Sequence, residues 1–133
     1  MKTVFLAGPM RGIVREEGLK WRNTIKDILG TKFKVIHAYR GREMKETFPD
    51  PRGAIIRDKN DIMNADIIIV NDTNPTASMI GTAMEVFFAH SLSKVVIIFG
   101  EAHPHDYWLN YHSHIRVKTM EEACKIINKL YGE

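Results

Sequence analysis

The sequence has almost no cysteine and no long apolar run. Cys124 is the single cysteine among 133 residues, so an internal disulfide is excluded and a reducing compartment is favoured. The longest apolar stretches, 67–70 and 95–99, fall far short of the ~20 residues that a membrane helix needs. The first residues lack the pattern of a signal peptide. We therefore expect a soluble, cytoplasmic protein without a membrane partner.

Clustered charge of one sign is also missing. The formal net charge is +3, but positive and negative side chains alternate along the chain without a run of Lys and Arg. Binding of a nucleic acid polymer is disfavoured, because its usual footprint is a concentrated basic face. The composition is that of an ordinary globular protein, with 44% hydrophobic and 26% charged residues. The length fits a single domain, residues 1–133.

What the chain does contain is an alternation of short apolar runs and helical patterns. Runs that are apolar throughout are typical of parallel strands covered on both faces. Strands are predicted at 3–7, 33–36, 67–70 and 95–99, with a weaker one at 115–117. Helices are predicted at 13–29, 51–64, 78–92 and 119–131, the first ending at Gly30 and the last opening with a Thr119–Glu122 capping box. This order predicts an open, doubly wound α/β sheet.

In such a sheet, ligands bind at the carboxyl ends of the strands, so the loop after the first strand is a candidate site. Gly8 and Gly12 allow a tight turn and close backbone approach, and Arg11 is a cation suited to a phosphate. The intervening residues are Pro9 and Met10. The loop has neither the dinucleotide fingerprint nor the P-loop motif, and an ordinary turn with a surface arginine is an equal alternative.

A second candidate lies after the third strand, where a polar loop leads into a helix. Ser78 is predicted to cap this helix, and Glu85 follows Gly81 by one turn, which leaves space above the carboxylate. A carboxylate beside small residues at this edge could attack a sugar carbon, whereas a solvated helical glutamate is the alternative. Three neighbours suggest that the helix is largely buried: Val86, Phe87 and Phe88.

Two aspartates of the second helical segment and the following strand are less clear. Asp66, at the amino end of the third strand, is expected to be structural. Asp58 is either one surface charge among several or the second acid that glycosidic chemistry needs.

Together these motifs resemble the nucleoside 2-deoxyribosyltransferase family, including its nucleoside 5'-monophosphate N-glycosidase branch. The resemblance covers roughly residues 3–99. It implies a flavodoxin-like (Rossmann-like) sheet of five parallel strands in three α/β/α layers, and homodimers or larger assemblies with shared active sites. It also implies an enzyme acting on nucleosides or nucleotides, and we expect no cofactor. The residues that carry it are Gly8-Pro9-Met10-Arg11-Gly12, Asp58, 65–70, Ser78 and 81–85.

By position, the resemblance makes Glu85 the nucleophile and Asp58 the carboxyl group near the leaving base. Gly8 and its neighbours would line the sugar, and Ser78 with Arg11 would face a 5'-phosphate. Many members carry a tyrosine in the first strand where this chain has Phe5. Without the tyrosine hydroxyl, two questions stay open: whether the protein discriminates between ribose and deoxyribose substrates, and how polar the surroundings of Glu85 are.

A histidine-rich segment falls in the long connection at 100–114. Its four histidines could bind zinc or nickel, but their spacing fits no standard site and no metal is expected. The resemblance makes the segment a lid and subunit contact, with Tyr107 or Trp108 able to stack on a base and Asn110 or His112 able to reach the substrate site of a neighbouring subunit. An aromatic interface without a catalytic role is the alternative. Tyr39 and Arg40 could border the base pocket or belong to a surface loop.

Three alternatives to an N-glycosidic enzyme of this family remain open. One is a phosphoribohydrolase, whose Gly-Gly-X-Gly-Thr…Glu loop is echoed by 81–85 without the glycine doublet. Another is a noncatalytic nucleotide-binding domain, in which Glu85 would be dispensable. The third is a metal-binding interaction protein built around the histidine segment.

Overall fold

The sequence folds into one parallel sheet between helices. The structure, a computed structural model, describes residues 1–39 and 49–132. The strands are β1 (Lys2–Ala7), β2 (Phe33–His37), β3 (Ile67–Asn71), β4 (Val95–Phe99) and β5 (Ile115–Val117). The helices are α1 (Arg15–Leu29), α2 (Arg52–Asn64), α3 (Ile80–Ser91), α4 (Tyr107–Tyr111) and α5 (Met120–Tyr131), with a single 3₁₀ turn at Gly30–Lys32.

The strand order is β2-β1-β3-β4-β5, and every pairing is parallel. β1 pairs with β2 on one side and β3 on the other, with Phe5 opposite Ile36 and Ile68. The connections reverse direction at β1, and ligands of doubly wound folds bind at such a switch point. At the opposite edge, the Asp66 carboxylate accepts a hydrogen bond of 2.9 Å from the Thr3 amide. This contact confirms the structural role predicted for Asp66.

Alternate side chains of each strand face the two sides of the sheet and form two cores. On the first side α1 and α5 pack over Val4, Ile69 and Ile97, with Cys124 buried among them. On the second side α2 and α3 pack over a cluster that contains Phe5 and Ile68. Because both faces are covered, the continuous apolar runs identified the strands correctly.

Two helix starts differ from the prediction. α1 begins at Arg15, since the Ile13 amide donates to the Met10 carbonyl in a turn instead of opening the helix. α3 begins at Ile80 and its N-cap is Met79, which makes no side-chain cap. The prediction that Ser78 caps this helix is therefore wrong.

The segment at 100–114 contains a short helix that the sequence analysis did not predict. α4 is capped by Asp106, whose carboxylate accepts a hydrogen bond of 2.9 Å from the Leu109 amide. Leu109 is buried in the second core. The segment is thus attached to the sheet by one apolar side chain and a capped turn.

The expectation that α3 is largely buried is wrong for a single chain. Thr82, Val86 and Ala89 face the sheet, whereas Phe87 is 49% exposed and Met84 69%. The helix packs through its small residues, which brings its backbone close to the sheet and leaves its larger side chains on the outer face. In the part of the chain that the structure describes, no helix has the length and apolarity to cross a membrane.

Candidate active site

The loop between β1 and α1 brings its backbone close to β3 and α1. A Cβ atom on Gly8 would lie 2.8 Å from a ring carbon of Trp21 and 3.2 Å from Cβ of Asn71, so a larger residue would force these elements apart. Gly12 has φ of 76°, a left-handed conformation that favours glycine. Arg11, beside it, is exposed. The sequence analysis predicted tight turning at both glycines, and the backbone confirms it.

The loop between β3 and α3 is organised by two asparagines. The Asn71 side-chain oxygen accepts hydrogen bonds from the Thr73 amide and hydroxyl, and Asn74 does the same for Thr76. A small cleft lies between this loop and the β1–α1 loop. Its lining residues are Pro9, Ile13, Glu17, Trp21, Asn71, Thr73 and Asn74.

Glu85 is half-buried on α3, and the environment of its carboxyl group is unusual. Burial and the nearby charge of Asp58 raise the pKa of Glu85 from 4.5 to about 8, while Arg22 acts in the opposite direction. Asp58 is half-buried on the neighbouring helix α2. Two carboxyl groups that share a poorly solvated space cannot both ionise at neutral pH without a large energetic cost. The pair therefore retains a proton near neutrality.

Gly81 leaves open space one turn before Glu85. A Cβ atom built at this glycine would meet no described heavy atom within 4 Å. This agrees with the space predicted from the sequence. Gly81 is exposed, so this space is open to solvent, and its contact with a substrate stays a prediction.

Arg22 enters this region from α1, on the other side of the sheet. Its side chain is 1% exposed, and its guanidinium donates to the Gly18 carbonyl at 2.7 Å and the Gly8 carbonyl at 3.2 Å. The guanidinium also lies 4.3 Å from the ring centroid of Trp21 and 5.0 Å from that of Tyr39. Because Gly8 directly follows β1, these contacts place the cation at the carboxyl edge of the sheet.

Tyr39, after β2, is buried between two cations. The Arg15 guanidinium lies 5.0 Å from its ring centroid, the same separation as that of Arg22. A Cβ atom on Gly18 would collide with the phenol oxygen, so the glycine makes room for the ring. Tyr39 thus lies beside Arg22, and its role in a base pocket stays a prediction. Arg40 lies outside the described residues, and its role in the base pocket stays a prediction.

A second polar cluster lies farther along the same edge. Asp72, which follows β3 and is fully buried, accepts hydrogen bonds from His103 at 2.6 Å and Arg116 at 2.8 Å. Burial alone would raise the pKa of Asp72, but these hydrogen bonds outweigh it and the pKa lies below its usual value. Arg116 also donates to the Asn110 side-chain oxygen at 2.9 Å. The cluster fixes the α4 segment against the ends of β3 and β5.

The predicted residues of the α4 segment have partners within the segment. The Asn110 amide also donates to the Pro104 carbonyl at 2.8 Å, and the His112 ring stacks on Trp108 at 5.5 Å between centroids. Their contact with a substrate stays a prediction. Within residues 1–39 and 49–132, no group of three or more His, Cys, Asp or Glu side chains is placed to hold a metal ion.

The structure brings together only part of the predicted site. Glu85 and Asp58 act electrostatically on Arg22, whose guanidinium donates to the Gly8 carbonyl, and Phe5 lies fully buried in the core beneath α2 and α3. Arg11 and Ser78 are both exposed. Their roles at a phosphate stay predictions.

Sequence reasoning missed Arg22 and the Asp72 cluster. The signal for Arg22 is its position in the apolar stripe of α1, where Gly18, Ile25 and Leu29 are buried at helical spacing. A charged residue on the buried face of a helix is costly, and it usually marks a specific partner or a function. For Asp72, the signal is its position directly after a buried strand.

Comparisons with known proteins agree on the fold. No family model matches the chain, and no curated protein matches it in sequence. Among solved structures, the 2-deoxyribosyltransferase of Bacillus psychrosaccharolyticus is 17% identical, with a TM-score of 0.72 over 91% of this chain and 89% of its own. The CMP N-glycosidase of Clostridium botulinum is 21% identical, with a TM-score of 0.63 over 96% and 98%.

A third solved structure is similar over a smaller part. The 2-desoxiribosyltransferase of Leishmania mexicana is 18% identical, with a TM-score of 0.60 over 74% of this chain and 64% of its own. The flavodoxin-like fold implied by the resemblance is therefore confirmed, and solved proteins of the predicted kind share it.

The raised pKa of Glu85 predicts a pH-dependent gain in stability for Glu85→Gln. The native carboxyl group keeps its proton up to about pH 8, whereas in the unfolded chain it ionises near pH 4.5, so the wild type loses stability between these values. We expect the advantage of the variant over the wild type to be larger at pH 9 than at pH 5 by up to about 5 kcal/mol, since the shift from 4.5 to about 8 corresponds to about 1.4 kcal/mol per pKa unit.

Urea unfolding at pH 5, 7 and 9 measures this difference. Glu101→Gln, at an exposed position, is the matched control for loss of a glutamate charge. A difference that stays constant from pH 5 to pH 9 would contradict the raised pKa.

Proposed function

We propose that the protein cleaves the N-glycosidic bond of nucleosides or their 5'-monophosphates through a covalent glycosyl intermediate on Glu85. The proposal is carried by the two carboxyl groups on the neighbouring helices α2 and α3, of which Asp58, together with burial, raises the pKa of Glu85 to about 8. Glycosidic cleavage of the retaining kind uses two such groups, a carboxylate nucleophile and an acid that serves the leaving group. The fold shared with deoxyribosyltransferases and a CMP N-glycosidase supports the same reaction class.

The reactive form is the one in which Glu85 is ionised and Asp58 carries the proton, and it is a minor form at neutral pH because the pKa of Glu85 is about 8. In the first step, the Glu85 carboxylate attacks C1' while the bond from C1' to the base nitrogen breaks. Its negative charge stabilises the oxocarbenium-like transition state, and Asp58 gives its proton to the departing base. In the second step, the now ionised Asp58 accepts a proton from water or from a second base. That nucleophile attacks C1' and releases Glu85, with net retention at C1'. Water gives hydrolysis, and a base gives transfer.

The two carboxyl groups predict distinct kinetic effects. Glu85→Gln should reduce the release of free base at least 10³-fold, and Asp58→Asn should reduce it about 10²-fold at neutral pH. Since the charge of Asp58 contributes to the raised pKa of Glu85, Asp58→Asn should also shift the acidic limb of the kcat/KM profile to lower pH.

The assay is chromatography of a panel of ribo- and deoxynucleosides and their monophosphates, with and without an acceptor base. Asp27→Asn, at an exposed position, controls for loss of an aspartate charge. Wild-type turnover in Glu85→Gln would remove the nucleophile assignment. Binding without turnover in the wild type would favour a noncatalytic nucleotide-binding domain.

We further propose that a 5'-phosphate binds beside the β1–α1 loop, at Arg11 and Ser78. Both side chains are exposed, and the N-caps of α1 and α3 form no side-chain cap hydrogen bond. Helix N-termini attract anions through their free amide groups and positive dipole ends. The carboxylate of Glu17 lines the cleft between the two loops and Arg11 does not, so the phosphate would lie outside this cleft, beside Arg11.

The phosphate proposal predicts that Arg11→Ala raises KM for monophosphates about 10-fold and leaves KM for the corresponding nucleosides unchanged. Arg52→Ala removes an exposed arginine that pairs with Asp50 and is the control. Equal effects of Arg11→Ala on both substrate classes would exclude a phosphate contact.

We also propose that a second copy of the chain covers the outer face of α3 and α4. Ile80, Met84 and Phe87 form one exposed stripe on α3, and the Trp108 ring lies 6.2 Å from that of Phe87. Monomeric proteins rarely expose apolar patches of this kind. The stripe lies on the helix that carries Glu85, so the partner would meet the protein beside its site.

Phe87→Glu should convert the dimer into a monomer, because it places a charge within the apolar interface. Light scattering during size-exclusion chromatography over a dilution series measures this, with an expected rise in dimer Kd of at least 100-fold. Leu130→Glu changes an exposed apolar residue on α5, across the sheet, and should leave the mass unchanged. A wild type that is monomeric at all concentrations would exclude the proposal.

A further inference from the structure

The cleft between the β1–α1 and β3–α3 loops contains hydrogen-bonding groups that the proposed reaction does not use. It lies at the carboxyl edge of β1 and β3, where the connections of the sheet reverse direction. Ligands of doubly wound sheets bind at such a position. Ile13 and the half-buried Trp21 supply apolar surface on one side of the cleft, and the exposed Glu17 supplies a carboxylate there.

Asn71 directs a pair of N–H donors into this cleft. The residue is 9% exposed, and its side-chain oxygen accepts hydrogen bonds from the Thr73 amide at 3.0 Å and the Thr73 hydroxyl at 2.6 Å. A backbone amide can only donate, so the atom that it meets is the oxygen and the NH₂ group points the other way. Of the buried side-chain atoms that lack a partner in the described residues, none belongs to Asn71. Its NH₂ group, which makes no hydrogen bond to the described residues, is therefore open to the cleft that Asn71 lines.

Asn74, which also lines the cleft, has the same arrangement. Its side-chain oxygen accepts hydrogen bonds from the Thr76 amide at 3.0 Å and the Thr76 hydroxyl at 2.9 Å. Its NH₂ group thus stays available as a donor. The β3–α3 loop therefore presents N–H donors to the cleft, and α1 presents a carboxylate acceptor through Glu17.

The size and charge of the cleft restrict the ligand. Its volume is about 40 Å³. This is room for roughly three water molecules at ~10–15 Å³ each. A puckered pentose with hydroxyls on both faces is too thick to enter, and the Glu17 carboxylate repels a phosphate. The edge of a planar ring that both accepts and donates hydrogen bonds fits.

Among the nucleobases, guanine matches these groups best. The edge opposite its N9 atom carries a carbonyl oxygen and two adjacent N–H donors. A carboxylate accepts two adjacent N–H groups side by side, and an amide NH₂ group donates to a carbonyl oxygen. Adenine and cytosine place a single amino group beside an unprotonated ring nitrogen. In uracil the ring N–H lies between two carbonyl groups that repel a carboxylate.

We propose that this cleft binds the edge of a guanine base, whose carbonyl oxygen accepts from Asn71 and Asn74 and whose two N–H groups donate to Glu17. N9 lies on the opposite edge of the purine, so the sugar and its phosphate stay outside the cleft. The inference rests on the proposed function for its role in substrate choice. Binding itself involves no reaction and can be tested separately.

The first experiment follows the side-chain ¹⁵NH₂ resonances of Asn71 by NMR. The Glu85→Gln variant is used so that the ligand is not consumed, and Asn71→Asp identifies the resonances by their loss. The ligands are GMP, AMP, CMP and UMP, which share one ribose phosphate, and ribose 5-phosphate, which has no base. GMP should shift the resonances at concentrations at which the other ligands do not. The proposal is overturned by no response to GMP, by an equal response to ribose 5-phosphate, or by equal responses to all four nucleotides.

The second experiment changes the acceptor and the donor and measures Kd by calorimetry. Glu17→Gln should weaken GMP binding about 10-fold, because a hydrogen bond to a charged group is lost, and should weaken IMP binding less, since IMP lacks the amino group. Glu16→Gln is the matched control: it removes an exposed carboxylate from the same first turn of α1 and should leave Kd unchanged. Asn71→Asp keeps an oxygen for Thr73 but replaces the donors, and it should weaken GMP binding as well. Equal Kd values in Glu17→Gln and Glu16→Gln would overturn the proposal, even if Asn71→Asp does not fold.

The failure of this inference differs from the failure of the proposed function. If GMP shifts the Asn71 resonances but no member of the substrate panel is cleaved, the guanine site stands and the N-glycosidic reaction fails. If nucleotides are cleaved but Asn71 does not respond to GMP, the reaction stands and the guanine site is excluded.

Discussion

The energetic cost of ionising a carboxyl group away from water is the constraint on which the arrangement of this site depends. Glu85 lies on a helix that packs through Thr82, Val86 and Ala89, so its backbone sits close to the sheet and its carboxyl group is poorly hydrated. A second carboxyl group from α2 adds repulsion. Arg22 partly offsets both effects. The three side chains come from three helices, α2 and α3 on one side of the sheet and α1 on the other.

The sheet topology explains why helices from both sides of the sheet lie near the end of β1. β1 is the strand at which the connections reverse, so the loop that follows it has helices of both layers as neighbours. Gly8 lets that loop approach Trp21 and Asn71 closely, and its carbonyl is then within reach of the guanidinium from α1. The same residues that close the turn therefore also place a positive charge at the sheet edge.

The strands and the parallel order could be predicted because a short run that is apolar throughout is typical of a strand covered on both faces. Glu85 and Asp58 were singled out from spacing and resemblance, and their catalytic roles stay predictions. The burial of Arg22 is marked by its place in the apolar stripe of α1, but its partners are backbone carbonyls that no sequence pattern marks. The prediction that Ser78 caps α3 was wrong because the helix begins at Ile80. Its N-cap is Met79, which forms no side-chain hydrogen bond with the first turn. The exposed face of α3 could not be predicted because apolar residues occur on all sides of this helix, so the sequence does not distinguish its buried side from its exposed side.

The residue at position 5 connects these observations. Phe5 is fully buried between β1 and the α2–α3 layer, at a position where the resemblance leads one to expect a tyrosine. By the resemblance, a phenol there would approach the nucleophile, the role proposed for Glu85, whereas a phenyl ring offers no hydrogen bond. Burial and the charge of Asp58 then dominate the surroundings of Glu85 and raise the pKa of its carboxyl group, while the charge of Arg22 acts in the opposite direction. Because Arg22 is held by the Gly8 and Gly18 carbonyls and lies beside the Tyr39 ring, residues of α1 and of the β1–α1 loop influence the ionisation of a glutamate on α3.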